Sequence, residues 1–102
     1  MLVERVVFQL KFGKAKEAID IWNKIFDLYR QKIPTIKCRM LTDMTGPSYN
    51  LILEIYVRSF TEIMPMSALA MSGPEWKELY DQFKPLCESA TRELYHLEKE
   101  FN

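Results

Sequence analysis

Thr35-Ile36-Lys37-Cys38-Arg39-Met40-Leu41-Thr42-Asp43-Met44-Thr45-Gly46-Pro47-Ser48-Tyr49-Asn50-Leu51-Ile52-Leu53-Glu54-Ile55-Tyr56-Val57-Arg58 is the stretch on which the fold turns. Before the glycine, Ile36, Cys38 and Met40 alternate with Thr35, Lys37, Arg39 and Leu41. After it, Leu51, Leu53, Ile55 and Val57 alternate with Asn50, Ile52, Glu54, Tyr56 and Arg58. A period of two is the signature of a strand with two unlike faces, and the Gly46-Pro47 loop over residues 43–48 makes the two runs an antiparallel hairpin. A symmetric closure places Thr42 opposite Tyr49, and so Met40 opposite Leu51, Cys38 opposite Leu53, Ile36 opposite Ile55, Lys37 opposite Glu54 and Arg39 opposite Ile52.

Toward the N-terminus, Val6, Phe8, Leu10 and Phe12 share one parity and Val3, Arg5, Val7, Gln9 and Lys11 the other, which predicts a first strand over residues 3–12. Gly13 breaks it. From Ala15 to about Gln31 the spacing changes to three and four, through Ala18, Ile21, Trp22, Ile25, Leu28 and Tyr29, an amphipathic helix that Pro34 stops. Beyond the hairpin, residues 61–71 read as a short helical or irregular segment in which Met64, Met66 and Met71 crowd together, as packing filler or as an adaptable lid. Ser72-Gly73-Pro74-Glu75 opens the last helix, whose stripe is Trp76, Leu79, Tyr80, Phe83, Leu86 and Cys87, with Pro85 kinking or ending it. Residues 91–101 alternate weakly and are assigned to a fourth, edge strand, the other reading being a continued helix through Leu94, Leu97 and Phe101.

The order β-α-β-β-α-β over residues 1–102 is one ferredoxin-like α+β domain, with two helices on one face of a four-stranded antiparallel sheet in the order 4-1-3-2. Val6, Phe8, Leu10, Ile36, Cys38, Met40, Leu51, Leu53 and Ile55 then face the helices. Val3, Arg5, Val7, Gln9, Arg39, Leu41, Ile52, Glu54 and Tyr56 face away, with Leu94 and His96 expected beside them. That second face is too apolar for water and too charged for a core, so pairing with a second copy through the sheet is the simplest solution.

The chain of 102 residues carries 14 Lys+Arg against 14 Asp+Glu and has 48% apolar residues, an ordinary composition for one folded domain. Zero net charge and no run of five like charges argue against a nucleic-acid partner. No stretch approaches the roughly 18–20 apolar residues of a membrane span, and Met1-Leu2-Val3-Glu4-Arg5 does not read as a secretory signal. Two cysteines without Cys-x-x-Cys spacing and a single histidine offer no zinc motif, and indicate reduced thiols in a cytoplasmic protein needing no cofactor.

The first strand Val3-Glu4-Arg5-Val6-Val7-Phe8-Gln9-Leu10, the segment Tyr56-Val57-Arg58-Ser59-Phe60, the helix start Ser72-Gly73-Pro74-Glu75-Trp76 and the closing Glu88-Ser89-Ala90-Thr91-Arg92-Glu93-Leu94-Tyr95 together resemble the dimeric α+β barrel superfamily. Within it they are most similar to NIPSNAP-type and antibiotic-biosynthesis-monooxygenase-type domains. The resemblance implies a homodimer of two facing sheets around a small pocket. It carries no haem-degrading signature, since the first strand offers Gln9 where that pattern needs Asn, and the sole histidine falls on the last strand.

Among candidate site residues, His96 belongs to the one side-chain type whose unperturbed pKa lies near neutrality and, with Glu54, is the candidate proton acceptor. Arg5 and Arg39 are candidates for an anionic or enolate oxygen, and Gln9, Tyr56 and Trp76 for pocket contacts. Three functions follow: a NIPSNAP-like dimer holding a small apolar or aromatic molecule, a cofactor-independent monooxygenase or isomerase of an activated aromatic or polyketide-like substrate, or a structural interaction module. No nucleophile-base pair, phosphate-binding glycine loop or metal spacing is present in the sequence, which weighs against hydrolases, kinases and metalloenzymes.

Overall fold

The alternation of the first strand and the three-four spacing that follows it are realised in space as strand β1 (Leu2–Leu10) and helix α1 (Ala15–Lys32). The structure is a computed structural model that describes residues 1–46 and 48–101. Strands β2 (Lys37–Thr42) and β3 (Asn50–Val57), helices α2 (Phe60–Ala70) and α3 (Pro74–Phe83), a three-ten turn (Lys84–Leu86) and strand β4 (Cys87–His96) complete it. The sheet runs β2-β3-β1-β4 with every pair antiparallel, the ferredoxin-like arrangement expected. Among the described residues no helix is long and apolar enough to cross a membrane.

Three helices rather than two cover the sheet, because residues 60–70 form a full helix. Pro65 lies inside α2 and leaves the Thr61 carbonyl without its helical donor. Only Ala70 of this helix is buried, while Phe60 and Met64 are exposed. Its C-terminal end is held by Lys32, whose ammonium donates to the carbonyls of Ala70 and Ser72 and to the Ser72 hydroxyl.

Pro74 occupies the first turn of α3, just after Gly73, whose φ of +89° suits a residue without Cβ. Pro85, two residues after the last residue of α3, has no N–H and would crowd the carbonyl four residues back, so the helix gives way to the three-ten turn. The fourth strand therefore starts at Cys87, earlier than expected, and ends at His96 rather than Phe101. Leu97 then donates to the Met1 carbonyl at 3.0 Å, and Glu100 pairs with Lys37 at 3.7 Å on the far edge of the sheet.

The hairpin closes two residues away from the symmetric register. Thr42 faces Leu51, Met40 faces Leu53, Cys38 faces Ile55, Leu41 faces Ile52 and Arg39 faces Glu54. The cause is local: Ser48 and Tyr49 take positive φ (27° and 66°), the Asp43 carboxylate accepts the Asn50 N–H at 3.0 Å, and the Tyr49 carbonyl accepts from Leu10 at 2.7 Å. Tyr49 is thereby spent on the turn. Pro47, part of the expected loop, lies outside the described residues. A slip of two preserves parity, so both faces keep their composition while every partner changes.

The core lies between sheet and helices. Phe8 of β1, Trp22 of α1 and Phe83 of α3 form an aromatic triangle with centroids 4.7–5.6 Å apart, closed by Leu10, Ile25 and Leu51. Offset and edge-on contacts of this kind add to what burial alone contributes.

Candidate functional site

Successive side chains of a strand point to opposite faces, and residues directly paired in a ladder share a face. On the face away from the helices, the three registers line up Arg39 of β2, Glu54 of β3, Arg5 of β1 and Glu93 of β4 in one row. The rows on either side are Leu41, Ile52, Val7, Thr91 and Lys37, Tyr56, Val3, Tyr95. Glu54 is buried, with 4% of its side chain exposed, because two arginines cover it. Arg5 holds Oε2 through Nε at 3.0 Å and Nη2 at 2.5 Å, and Arg39 holds Oε1 at the same two distances. Burial alone would raise the Glu54 pKa, but hydrogen bonds and charge from Arg39 and Arg5 outweigh it and hold the carboxyl below its ordinary value. The same pairing raises the pKa of the Arg39 guanidinium. Glu93, at the end of the row, has no ion-pair partner among the described residues.

A cavity of about 170 Å³ opens on the other face, between the sheet and all three helices. Its walls are apolar: Val6, Phe8, Leu53 and Ile55 from the sheet, Trp22 from α1, Met66 and Ala70 from α2. Trp76 and Tyr80 of α3 stack at 4.8 Å with planes 13° apart and form an aromatic wall. Polar groups are few. Glu4 and Arg92 border it from β1 and β4, Ser67 from α2, and Tyr29 from α1. The Trp76 indole N–H donates to the Tyr29 hydroxyl at 3.3 Å, while the buried Trp22 N–H has no partner among the described residues. An aromatic-walled cavity with a handful of converging polar groups is the usual form of a small-molecule site.

Burial pushes the Tyr29 phenol up to about 12, against a partial opposing effect of the Trp76 hydrogen bond. Tyr29 therefore stays a neutral hydroxyl well into the alkaline range, beyond the pH at which an ordinary phenol ionises. In an alkaline absorbance titration, the wild-type protein and Tyr29→Phe are expected to give the same phenolate signal at pH 10 and to part only as pH nears 12. The raised folded value stabilises the fold fully below the unfolded pKa and is lost as pH climbs through the folded one. A difference already present at pH 10 would mean that Tyr29 is open to water.

The sequence-predicted site residues separate into two groups. Arg5, Gln9, Arg39, Glu54 and Tyr56 are brought together on the open face of the sheet, where Gln9 donates to the Ser48 carbonyl at 2.8 Å and Lys37 sits 4.4 Å over the Tyr56 ring. Trp76 lies on the other side, in the cavity. Leu94 and His96 were expected on the open face, but His96 pairs with Leu2 and Leu94 with Glu4, so both belong to the helix-side parity; Tyr95 and Glu93 stand on the open face instead. His96 is exposed at the end of β4, on the opposite face from Glu54, and the two do not form a joint acid-base pair. Glu4, Tyr29, Ser67 and Arg92 were not singled out by the sequence reading. Glu4 alone had a signal: it shares the parity of Val6, Phe8 and Leu10, a carboxylate on an otherwise apolar strand face. Among the described residues no group of three or more His, Cys, Asp or Glu is placed to hold a metal.

No protein-family model matches the chain, and no curated protein sequence matches it significantly. Solved structures do match the fold. An uncharacterized NIPSNAP domain protein from Burkholderia xenovorans superposes with a TM-score of 0.82 at 16% identity, over 94% of this chain and 93% of that one. A NIPSNAP family protein from Agrobacterium tumefaciens gives 0.82 at 14% identity, over 93% and 90%. A putative antibiotic biosynthesis monooxygenase from Nitrosomonas europaea gives 0.75 at 13% identity, over 97% and 100%. The chain thus has the ferredoxin-like α+β fold of NIPSNAP and antibiotic-biosynthesis-monooxygenase domains, over nearly its whole length.

Proposed function

We propose that the protein is a NIPSNAP-like homodimer that holds a small, flat, apolar or aromatic molecule in the cavity between its sheet and helices. The observation that carries this reading is the cavity itself: about 170 Å³, walled by the stacked Trp76–Tyr80 pair, with Tyr29 held as a neutral hydroxyl. An apolar ring gains from displacing water there, and an oxygen on the ring can accept the Tyr29 proton or meet the Arg92 guanidinium. The cavity side of α2, through Ile63 and Met66, acts as its adaptable cover together with Met71 just beyond its end. The open face of the sheet receives a second copy of the chain, since Leu41 beside Ile52 and Tyr95 beside Val3 are each more than a third exposed. Free, half-buried Cys38 and Cys87 support a cytoplasmic setting.

The chain's two tryptophans both border the cavity, so their fluorescence reports its occupancy directly. Saturable quenching by naphthol, together with a one-per-protomer adduct and a dimer mass in native mass spectrometry, is the expected result. Linear, collisional quenching and no adduct would overturn the binding reading.

The second reading is a cofactor-independent monooxygenase, which the Glu4, Tyr29 and Arg92 set favours because it puts a carboxylate, a hydroxyl donor and a cation at one apolar cavity. Glu4 takes the place that Glu54 and His96 held as candidate base. Protein-dependent oxygen uptake with a naphthalenediol, abolished by Glu4→Gln, would establish it.

A further inference from the structure

Helix α2 forms one wall of the cavity, yet little fastens it to the rest of the molecule. Its share of the wall is Ile63, Met66, Ser67 and Ala70, with Met71 just past its end. Of its 11 residues only Ala70 is buried, and Phe60, Met64 and Leu69 are exposed. Pro65 takes one rung out of its hydrogen-bond ladder. A helix with so little buried surface opens more readily than the core around Phe8, Trp22 and Phe83. The hydrogen bonds at its ends stay within the segment: the Glu62 N–H donates to Ser59, Met71 to Ser67 and Ser72 to Leu69, while the Ser59 and Thr61 hydroxyls bond each other. Among the described residues, Lys32 is the one side chain from another element that hydrogen-bonds to residues 59–72.

Resting on the cavity reading above, we propose that α2 is the gate through which a ligand enters and leaves, and that Lys32 is the latch that holds it shut. Lys32 is the last residue of α1, and its ammonium donates to the Ala70 and Ser72 carbonyls and to the Ser72 hydroxyl. It therefore sits at the carbonyl end of α2, where a cation offsets the helix dipole. Ala70, at this end, is also the buried residue of α2 and part of the cavity wall, so one ammonium fixes the helix at the point where it closes on the cavity. The backbone on either side can turn: Ser59 is extended (φ −150°, ψ 162°), and Gly73 has a φ of +89°. The latch lies against that second hinge, since a Cβ on Gly73 would come within 3.8 Å of the Lys32 ammonium. An outward swing of α2 carries Met66, Ser67 and Ala70 off the cavity and leaves the Trp76–Tyr80 wall and the sheet in place. The polar contacts it breaks with other elements are those of Lys32.

Lys32→Met tests this, because it keeps an unbranched stem of similar reach and loses the donor. Hydrogen bonds from a charged donor are the stronger kind, so the open fraction is expected to rise by about tenfold. In the free protein, amides 66–72 then exchange about tenfold faster, while those of α1 and α3 keep their wild-type rates. Stopped-flow tryptophan quenching by naphthol should show association and dissociation both quickened by about tenfold, with Kd changed by less than about twofold, because the open form is crossed in both directions and stays minor in both proteins. Lys77→Met, which removes an exposed ammonium paired with Asp81 on α3, should change neither measurement. Unchanged exchange of amides 66–72 in Lys32→Met would overturn the latch, as would exchange quickened throughout the protein. Local quickening with wild-type naphthol rates would overturn the gate. A Kd raised through dissociation alone would also overturn it, making Lys32 a support of the closed wall. Absence of naphthol binding by the wild-type protein would overturn the binding reading on its own, with amide exchange still deciding whether Lys32 latches α2.

Discussion

Glu54→Ala is expected to lower the unfolding free energy by about 3 kcal/mol and the melting temperature by about 15 °C, at fixed protein concentration. The reason is the asymmetry of buried ion pairs. With 4% of its side chain exposed, Glu54 is the common acceptor of both Arg5 and Arg39. Removing it leaves two guanidinium groups side by side with no anion between them. Both arginines are about half exposed, so water relieves part of the loss, and the low end of the range for a broken buried pair applies. The pH dependence follows from the lowered Glu54 pKa. A carboxylate whose folded pKa lies below its unfolded value stabilises the fold above the unfolded value, about 4.3, and that contribution drains away as pH falls through the folded one. Denaturant melts of wild type and Glu54→Gln should therefore differ most near neutrality and converge in acid. A gap that stays constant from about pH 7 to pH 3 would show that the Glu54 charge contributes nothing to the fold.

Ser67→Trp should weaken naphthol binding by about 100-fold while leaving the melting temperature close to wild type. Ser67 borders the cavity from α2, and an indole in its place fills a large share of the 170 Å³. Large residues usually destabilise a core because they must force neighbours aside, but a side chain that enters a pre-existing void does not. The measurement needs a probe other than intrinsic fluorescence, since the variant adds a third tryptophan; isothermal calorimetry serves. Undiminished binding in a folded Ser67→Trp protein would place the ligand elsewhere. A large loss of stability would instead mean that α2 is packed too tightly to leave a cavity.

Parity carried most of what was legible in the sequence. Strand order, the division of the sheet into two faces and the aromatic core of Phe8, Trp22 and Phe83 all follow from spacings of two and of three to four. Register was not legible, because it depended on Ser48 and Tyr49 turning left-handed and on the Asp43 carboxylate capturing the Asn50 N–H, which periodicity does not encode. The error mattered: the symmetric closure set Glu54 against Lys37, whereas the real one sets it between Arg39 and Arg5. His96 was misplaced for the same kind of reason. On a weakly alternating strand, parity has to be counted from the neighbour it pairs with, and His96 faces Leu2. The cavity was invisible because alternation tells which side chains point toward the helices, not whether the helices lie flush. That gap depends on α2, where Pro65 inside the segment keeps the sequence undecided between helix and irregular chain.

Strand β1 serves both sides of the sheet at once. Glu4, Val6 and Phe8 border the cavity, while Val3, Arg5 and Val7 belong to the open face. Because neighbours along this strand answer to different surroundings, mutational drift can recast the chemistry of the cavity one even-numbered residue at a time without disturbing the odd-numbered ones. Insertion or deletion of a single residue within β1 has no such freedom. It would move a carboxylate from cavity to outer face and an arginine from outer face to cavity in one step. The length of this strand is therefore under far tighter constraint than the identity of any residue in it.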